Sequence, residues 1–273
     1  MKVIKSLLRG FRGGPDFTET HTINTSFDDI NFSISLPYTN VDTQEKPRNI
    51  QFPISKQNWF ESNCTQSRQH HYVPISTQMW MYVPSVKYTL NGELGVLFCS
   101  SQIKKVPKDK EIDAFNLDAL GTHLLEEYDQ HYNSPVIGGP EDHGQGLNTE
   151  IRQKVDLLSE SLGSPFSKSE YDRELRLRME AMGFPPLSPY KVVSIKNRQW
   201  VYYSEPQVNS LSKDNMYCFP LSNEFYLCLQ FRYRVDINDK FKLWKDHAEA
   251  AENRIMESVK LTFPSNEKAL PST

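Results

Sequence analysis

The chain contains no apolar run near the ~18 residues that a membrane-spanning helix needs, so no transmembrane segment is expected. It has little excess charge of either sign. Lys and Arg number 31 against 34 Asp and Glu, leaving −3 over 273 residues, which removes any general attraction to nucleic acid or to an anionic surface. Cysteine is sparse: Cys64, Cys99, Cys218 and Cys228. No two are spaced as CxxC, so zinc and dithiol chemistry find no support, and reduced, buried thiols in a cytoplasmic protein are expected. There is no internal repeat, no low-complexity segment and no catalytic motif. No cofactor and no metal site is expected. The opening stretch, MKVIKSLLRGFRGG, is basic, but Lys5 breaks its apolar run and the run ends at Leu8. That is short for a signal peptide. It reads as a tail over residues 1–15, with a membrane-surface anchor built on Val3, Ile4, Leu7 and Leu8 as the alternative.

Aromatic residues, by contrast, are plentiful. Thirteen Tyr and 15 Phe supply more core material than a disordered chain carries. The strongest pattern is FYLCLQFRYRV, residues 225–235. Phe225, Leu227, Leu229, Phe231, Tyr233 and Val235 alternate with Tyr226, Cys228, Gln230, Arg232 and Arg234. Period two means one long strand with an apolar face and a mostly polar face. Shorter alternations occur at residues 17–24, 26–36, 190–195, 200–204 and 259–263. Val86 to Phe98, centred on Asn91-Gly92, carries the turn chemistry of a hairpin.

Between residues 111 and 186 the period changes to about 3.6. Leu117, Leu120, Leu124 and Tyr128 form one helical stripe; Ile151, Val155 and Leu158 form a second; Tyr171, Leu175, Met179 and Met182 form a third. Ser167 and Glu170 make a capping box for the third helix. A last helix places Trp244, Ala248, Ala251 and Ile255 on one face. Strands, then helices, then strands, then a helix, with hairpin signals throughout, predict an α+β fold: a mainly antiparallel sheet with helices packed on one side and a helical insertion between strands. The expected organisation is one domain over residues 16–263 with a free tail from 264 to 273.

Three segments resemble the fold of PsbP-like and DcrB-like proteins: FSISLP ending at Pro37, the long strand 225–235, and AENRIMESVKLTF running from helix into strand. The resemblance implies a non-catalytic, partner-binding role, although a shared fold does not carry a shared function.

Candidate chemistry is thin. Arg232 and Arg234, with Tyr226 alongside, share one face of the long strand and could grip a carboxylate or phosphate; cross-strand ion pairs are the competing reading. Trp80, Tyr82, Trp200 and Tyr202 form an aromatic set that is either core or a protein-binding face. His70 or His71 with Cys64 or Cys99 could form a nucleophile–base pair. The loop at residues 138–146, with Glu141, Asp142 and His143, reads as a connection between helices. The expected function is protein–protein binding, as an accessory, chaperone-like or toxin-neutralising immunity-type partner. A hydrolase using the His/Cys pair is the alternative.

Overall fold

A computed structural model describes residues 10–41, 49–66, 71–85, 92–107, 112–137, 146–163, 165–206, 212–236 and 243–263. The long alternating segment forms β11 (Phe225–Val235), bounded as its periodicity predicts. It pairs on one side with β7 (Gly95–Lys105) and on the other with β10 (Lys213–Pro220). Outward from β7 follow β6 (His71–Pro84) and β1 (Phe11–Gly13), with β5 (Thr65–Gln66) also on β6. Outward from β10 follow β9 (Arg198–Pro206) and β8 (Lys191–Ile195). Every pairing in this eight-stranded sheet is antiparallel. The chain is α+β.

A second sheet of four strands has the order β12 (Lys260–Thr262), β3 (Ile30–Pro37), β2 (Thr20–Phe27) and β4 (Ile50–Phe52). Its β2–β4 pair is parallel. The β2–β3 hairpin turns at Asp28, whose φ of 49 lies in the left-handed region that Asp tolerates better than branched residues. The alternations at residues 17–24 and 26–36 place the break near Thr25, whereas β2 continues through Phe27 before the turn.

The odd-numbered residues of β11 face a core shared by both sheets. Leu227, Leu229, Phe231 and Tyr233 pack with Trp80, Leu97, Phe32 and Ile34, and with Trp244, Ala248 and Ile255 of the helix α5 (Leu243–Ser258). Glu252 of α5 is buried there. It accepts hydrogen bonds from Asn215 Nδ2 at 3.0 Å, from the Tyr217 hydroxyl at 2.7 Å and from the Tyr233 hydroxyl. One carboxylate thus ties α5 to β10 and β11.

The even-numbered face is covered in part by α2 (Leu117–Asn133). Leu120 and Leu124 pack on Tyr203, Met216, Cys218, Tyr226 and Cys228. Helical cover therefore reaches both faces of the large sheet, where the sequence pattern had placed helices on one. Gly121 permits the approach: a Cβ there would come within 2.6 Å of the Tyr190 ring. After α2 come α3 (Leu147–Ser161) and α4 (Lys168–Met182), the helical insertion between β7 and β8. The Ser167–Glu170 capping box is formed, and α4 buries no side chain. A short helix, α1 (Trp59–Asn63), and β1 had no clear sequence signal. Phe11–Gly13, assigned from sequence to a tail, belongs to the sheet because Phe11 packs against the Tyr82 and His247 rings.

Candidate functional site

Beyond the reach of α2, the even face of the large sheet is polar and, among the described residues, open. Strand alternation places Phe98, Ser100, Gln102 and Lys104 of β7 beside Gln230 and Arg232 of β11, Asp214 and Met216 of β10, and Glu205 of β9. These line a cavity of about 290 Å³.

Its floor is a hydrogen-bonded relay running across three strands. Arg232 clamps Asp214, with Nε at 3.0 Å from both carboxylate oxygens and Nη2 at 2.7 Å from Oδ2. Gln230 Nε2 donates to the same Oδ2 at 2.7 Å. Gln230 Oε1 accepts from the Ser100 hydroxyl at 3.3 Å and from Gln102 Nε2 at 3.4 Å. Asp214 is 1% exposed, and its carboxylate oxygens are met by donors from Arg232 and Gln230, the bidentate arrangement that binds a carboxylate most firmly.

Two further charges line the cavity. Lys104 is 3% exposed and Glu205 8% exposed. Among the described residues, neither the ammonium nor the carboxylate forms a hydrogen bond or an ion pair, although each feels the other's charge. Burial alone would lower the Lys104 pKa; Cys228, Glu127, Cys218 and Glu205 outweigh it and hold the pKa above its usual value, so the group is a cation. Burial pushes the Glu205 carboxyl up to about 7, with Lys104 opposing and Asp214 adding repulsion. Buried charges without partners are rare in folded proteins and mark sites where a ligand or solvent completes the set. Beside Lys104, Cys218 and Cys228 face each other across β10 and β11, and burial pushes the Cys218 thiol well up.

The residues singled out by sequence fall in several places. Arg232 is at this cavity, already paired with Asp214. Arg234 lies outside the lining and holds Glu93 and Asp236 at 2.7 and 2.9 Å. Tyr226 is buried under α2. Trp80, Tyr82 and Trp200, at 0%, 0% and 1% exposure, are core side chains and offer no binding face; Tyr202 is half-buried against Tyr217. The His/Cys pair is not assembled among the described residues. Cys99 sits on the core face of β7, where burial raises its pKa, the wrong direction for a nucleophile. The Cys64 thiol donates to the Glu61 carbonyl at 3.8 Å, and His71 is exposed. His70 and residues 138–145 lie outside the described residues, as do Val86 to Asn91 of the expected hairpin, although β6 and β7 pair antiparallel as that hairpin requires. Lys104, Glu205 and Asp214 were missed from sequence. The available signal was Ser100, Gln102 and Lys104, polar at every second position of one strand.

No family model matches the chain, so the PsbP-like and DcrB-like resemblance rests on its three segments alone. No curated protein matches either. Among solved structures the chain is similar to LpqN, described as involved in cell envelope biogenesis of Mycobacterium tuberculosis, with 10% identity, coverage of 92% of this chain and 91% of that one, and a TM-score of 0.27.

Proposed function

We propose that this is a non-catalytic binding protein that holds a small polar solute in the cavity on the even face of the large sheet. One observation carries the reading: Lys104 and Glu205 are nine-tenths buried, carry opposite charges, line one cavity and lack partners among the described residues. Leaving both in that state costs stability, and a bound solute offsets the cost. A ligand that binds only the native state raises the unfolding temperature, by an amount equivalent to about 2.7 kcal/mol at a hundredfold excess over Kd. Thermal unfolding of the full chain against a panel of small polar solutes should show such a rise for at least one class, abolished by Lys104→Met. A panel that leaves the midpoint unmoved throughout sinks the reading. The four free thiols support a reducing, cytoplasmic setting, checked by cell fractionation.

A second reading is protein binding, in an accessory, chaperone-like or toxin-neutralising role. It is favoured by α4, which buries no side chain, and by Leu157, Leu162, Leu177 and Met182 of the insertion, exposed at 64%, 58%, 48% and 50%. Large apolar side chains on a helix without cover suit a helix-groove contact. Crosslinking in cells should capture a partner with the wild-type chain and lose it with Leu157→Ser/Leu177→Ser. Identical capture by both chains would remove this reading.

A further inference from the structure

We infer that the solute is a neutral polyol about one sugar ring in size, its hydroxyl groups bridging Lys104 and Glu205. The inference rests on the cavity being a ligand site, and it is argued from the charge and hydrogen-bonding balance of the lining. Lys104 and Arg232 oppose Glu205 and Asp214 in the lining, and Glu127, outside the lining, is felt at both Lys104 and Glu205, so no net positive charge selects an anion. Arg232 and Asp214 satisfy each other. What is left is one donor-only group, the Lys104 ammonium, and one carboxylate, Glu205, in the same cavity and outside hydrogen-bonding distance of each other.

The missing partner must accept from the first and donate to the second. A carboxylate ligand only accepts, and would set its charge near Glu205. An ammonium ligand only donates, and would set its charge near Lys104. A hydroxyl does both, and adjacent hydroxyls on a ring offer the two roles from neighbouring atoms. The rest of the lining agrees with this choice. Ser100, Gln102 and Gln230 are neutral groups able to donate and accept, and Phe98 and Met216 present an apolar wall to the C–H face of a ring. Glu205, with its carboxyl pushed up to about 7, is protonated in part near neutrality; a hydroxyl meets either form, an ammonium only the ionised one and a carboxylate only the protonated one. At about 290 Å³ the cavity sits at the small end of ligand pockets, which run from roughly 300 Å³ upward, so one ring fits better than a chain of them.

The test is ligand-observed NMR and calorimetry on the full chain with glucose, galactose and myo-inositol, against acetate, methylammonium and glycine. At least one polyol should bind, with Kd of order 10⁻³ M or tighter. That affinity should fall about tenfold or more in Lys104→Met and in Glu205→Leu, each of which removes a charged hydrogen-bonding partner. Arg234→Gln, which lies outside the lining, should leave it unchanged. Where Lys104→Met fails to fold, Ser100→Leu, which fills the cavity from its floor, gives the same readout. Binding of acetate, methylammonium or glycine with the polyols silent overturns the ligand class and leaves the cavity standing as a ligand site. Polyol binding that survives every lining variant overturns the location. Silence from all six probes overturns both the polyol and the cavity reading beneath it.

Discussion

Glu205 and Glu252 are two buried carboxylates with opposite surroundings. Glu252 accepts from Asn215, Tyr217 and Tyr233; Glu205 accepts from nothing described and has only Lys104 and Arg232 as offsetting charges, with Asp214 and Glu127 against it. Replacing Glu252 with Ala strands three donors in the core and should cost about 2–4 kcal/mol, read as a lower urea midpoint. Glu205 should make stability pH-dependent. Its carboxyl titrates near 4.5 in the unfolded chain and near 7 in the folded one, so between those values the native state binds more protons. Stability is then fully present below the lower value and falls as pH rises through the upper one, by on the order of 3 kcal/mol in all. Urea midpoints measured from about pH 5 to about pH 8 should decline in the wild type and flatten in Glu205→Gln. A wild-type profile already flat over that window contradicts the burial of an unpartnered Glu205. The alternation of β7 and β11 put Gln230 and Arg232 on one face from sequence, but it could not supply Asp214 or Glu205. Those arrive on β10 and β9, whose register against β11, with Glu205 beside Asp214 and Asp214 beside Arg232, no residue pattern fixes.

The helices of the insertion differ in what holds them. α2 docks through Leu120, Leu124 and the bare backbone at Gly121, so Gly121→Ala should push the Tyr190 ring away and cost about 1–3 kcal/mol by overpacking, despite alanine's better helix propensity. A more stable Gly121→Ala protein by urea unfolding would contradict that docking. α4 has no buried side chain, and its stability leans on the capping box and on pairs such as Arg178–Glu174 at 2.7 Å. Ser167→Ala should weaken α4 by about 1 kcal/mol. Because α4 contributes nothing to the core, hydrogen exchange across residues 168–182 should accelerate while the global unfolding midpoint holds still. An equal fall in both would mean that α4 unfolds with the sheet. The capping box was legible because its two residues are three apart on one helix. The docking face of α2 was legible as a stripe, but its target was not: nothing in Tyr226 or Cys228 announces that a helix lies above them.

The two sheets and α5 share one core, so they should unfold together. Trp80 stands at its centre, packed with residues of both sheets, and Trp80→Ala should cost about 3–5 kcal/mol, with tryptophan fluorescence and far-UV circular dichroism giving one coincident transition. Separate transitions would split the core into independent parts. The amino-acid sequence by itself determined the class of fold, the extent of β11, the order of the longer strands and helices, and which side of β11 is apolar, because alternation, helical stripes and caps are written in residues a few positions apart. Only the tertiary structure decided that the strands sort into two sheets, that Trp80, Tyr82 and Trp200 are core rather than surface, and that Lys104, Glu205, Asp214 and Arg232 meet over one cavity. Strand pairing and helix docking join residues more than a hundred positions apart, and the cover above a side chain, not its type, sets whether it packs, pairs or waits for a ligand.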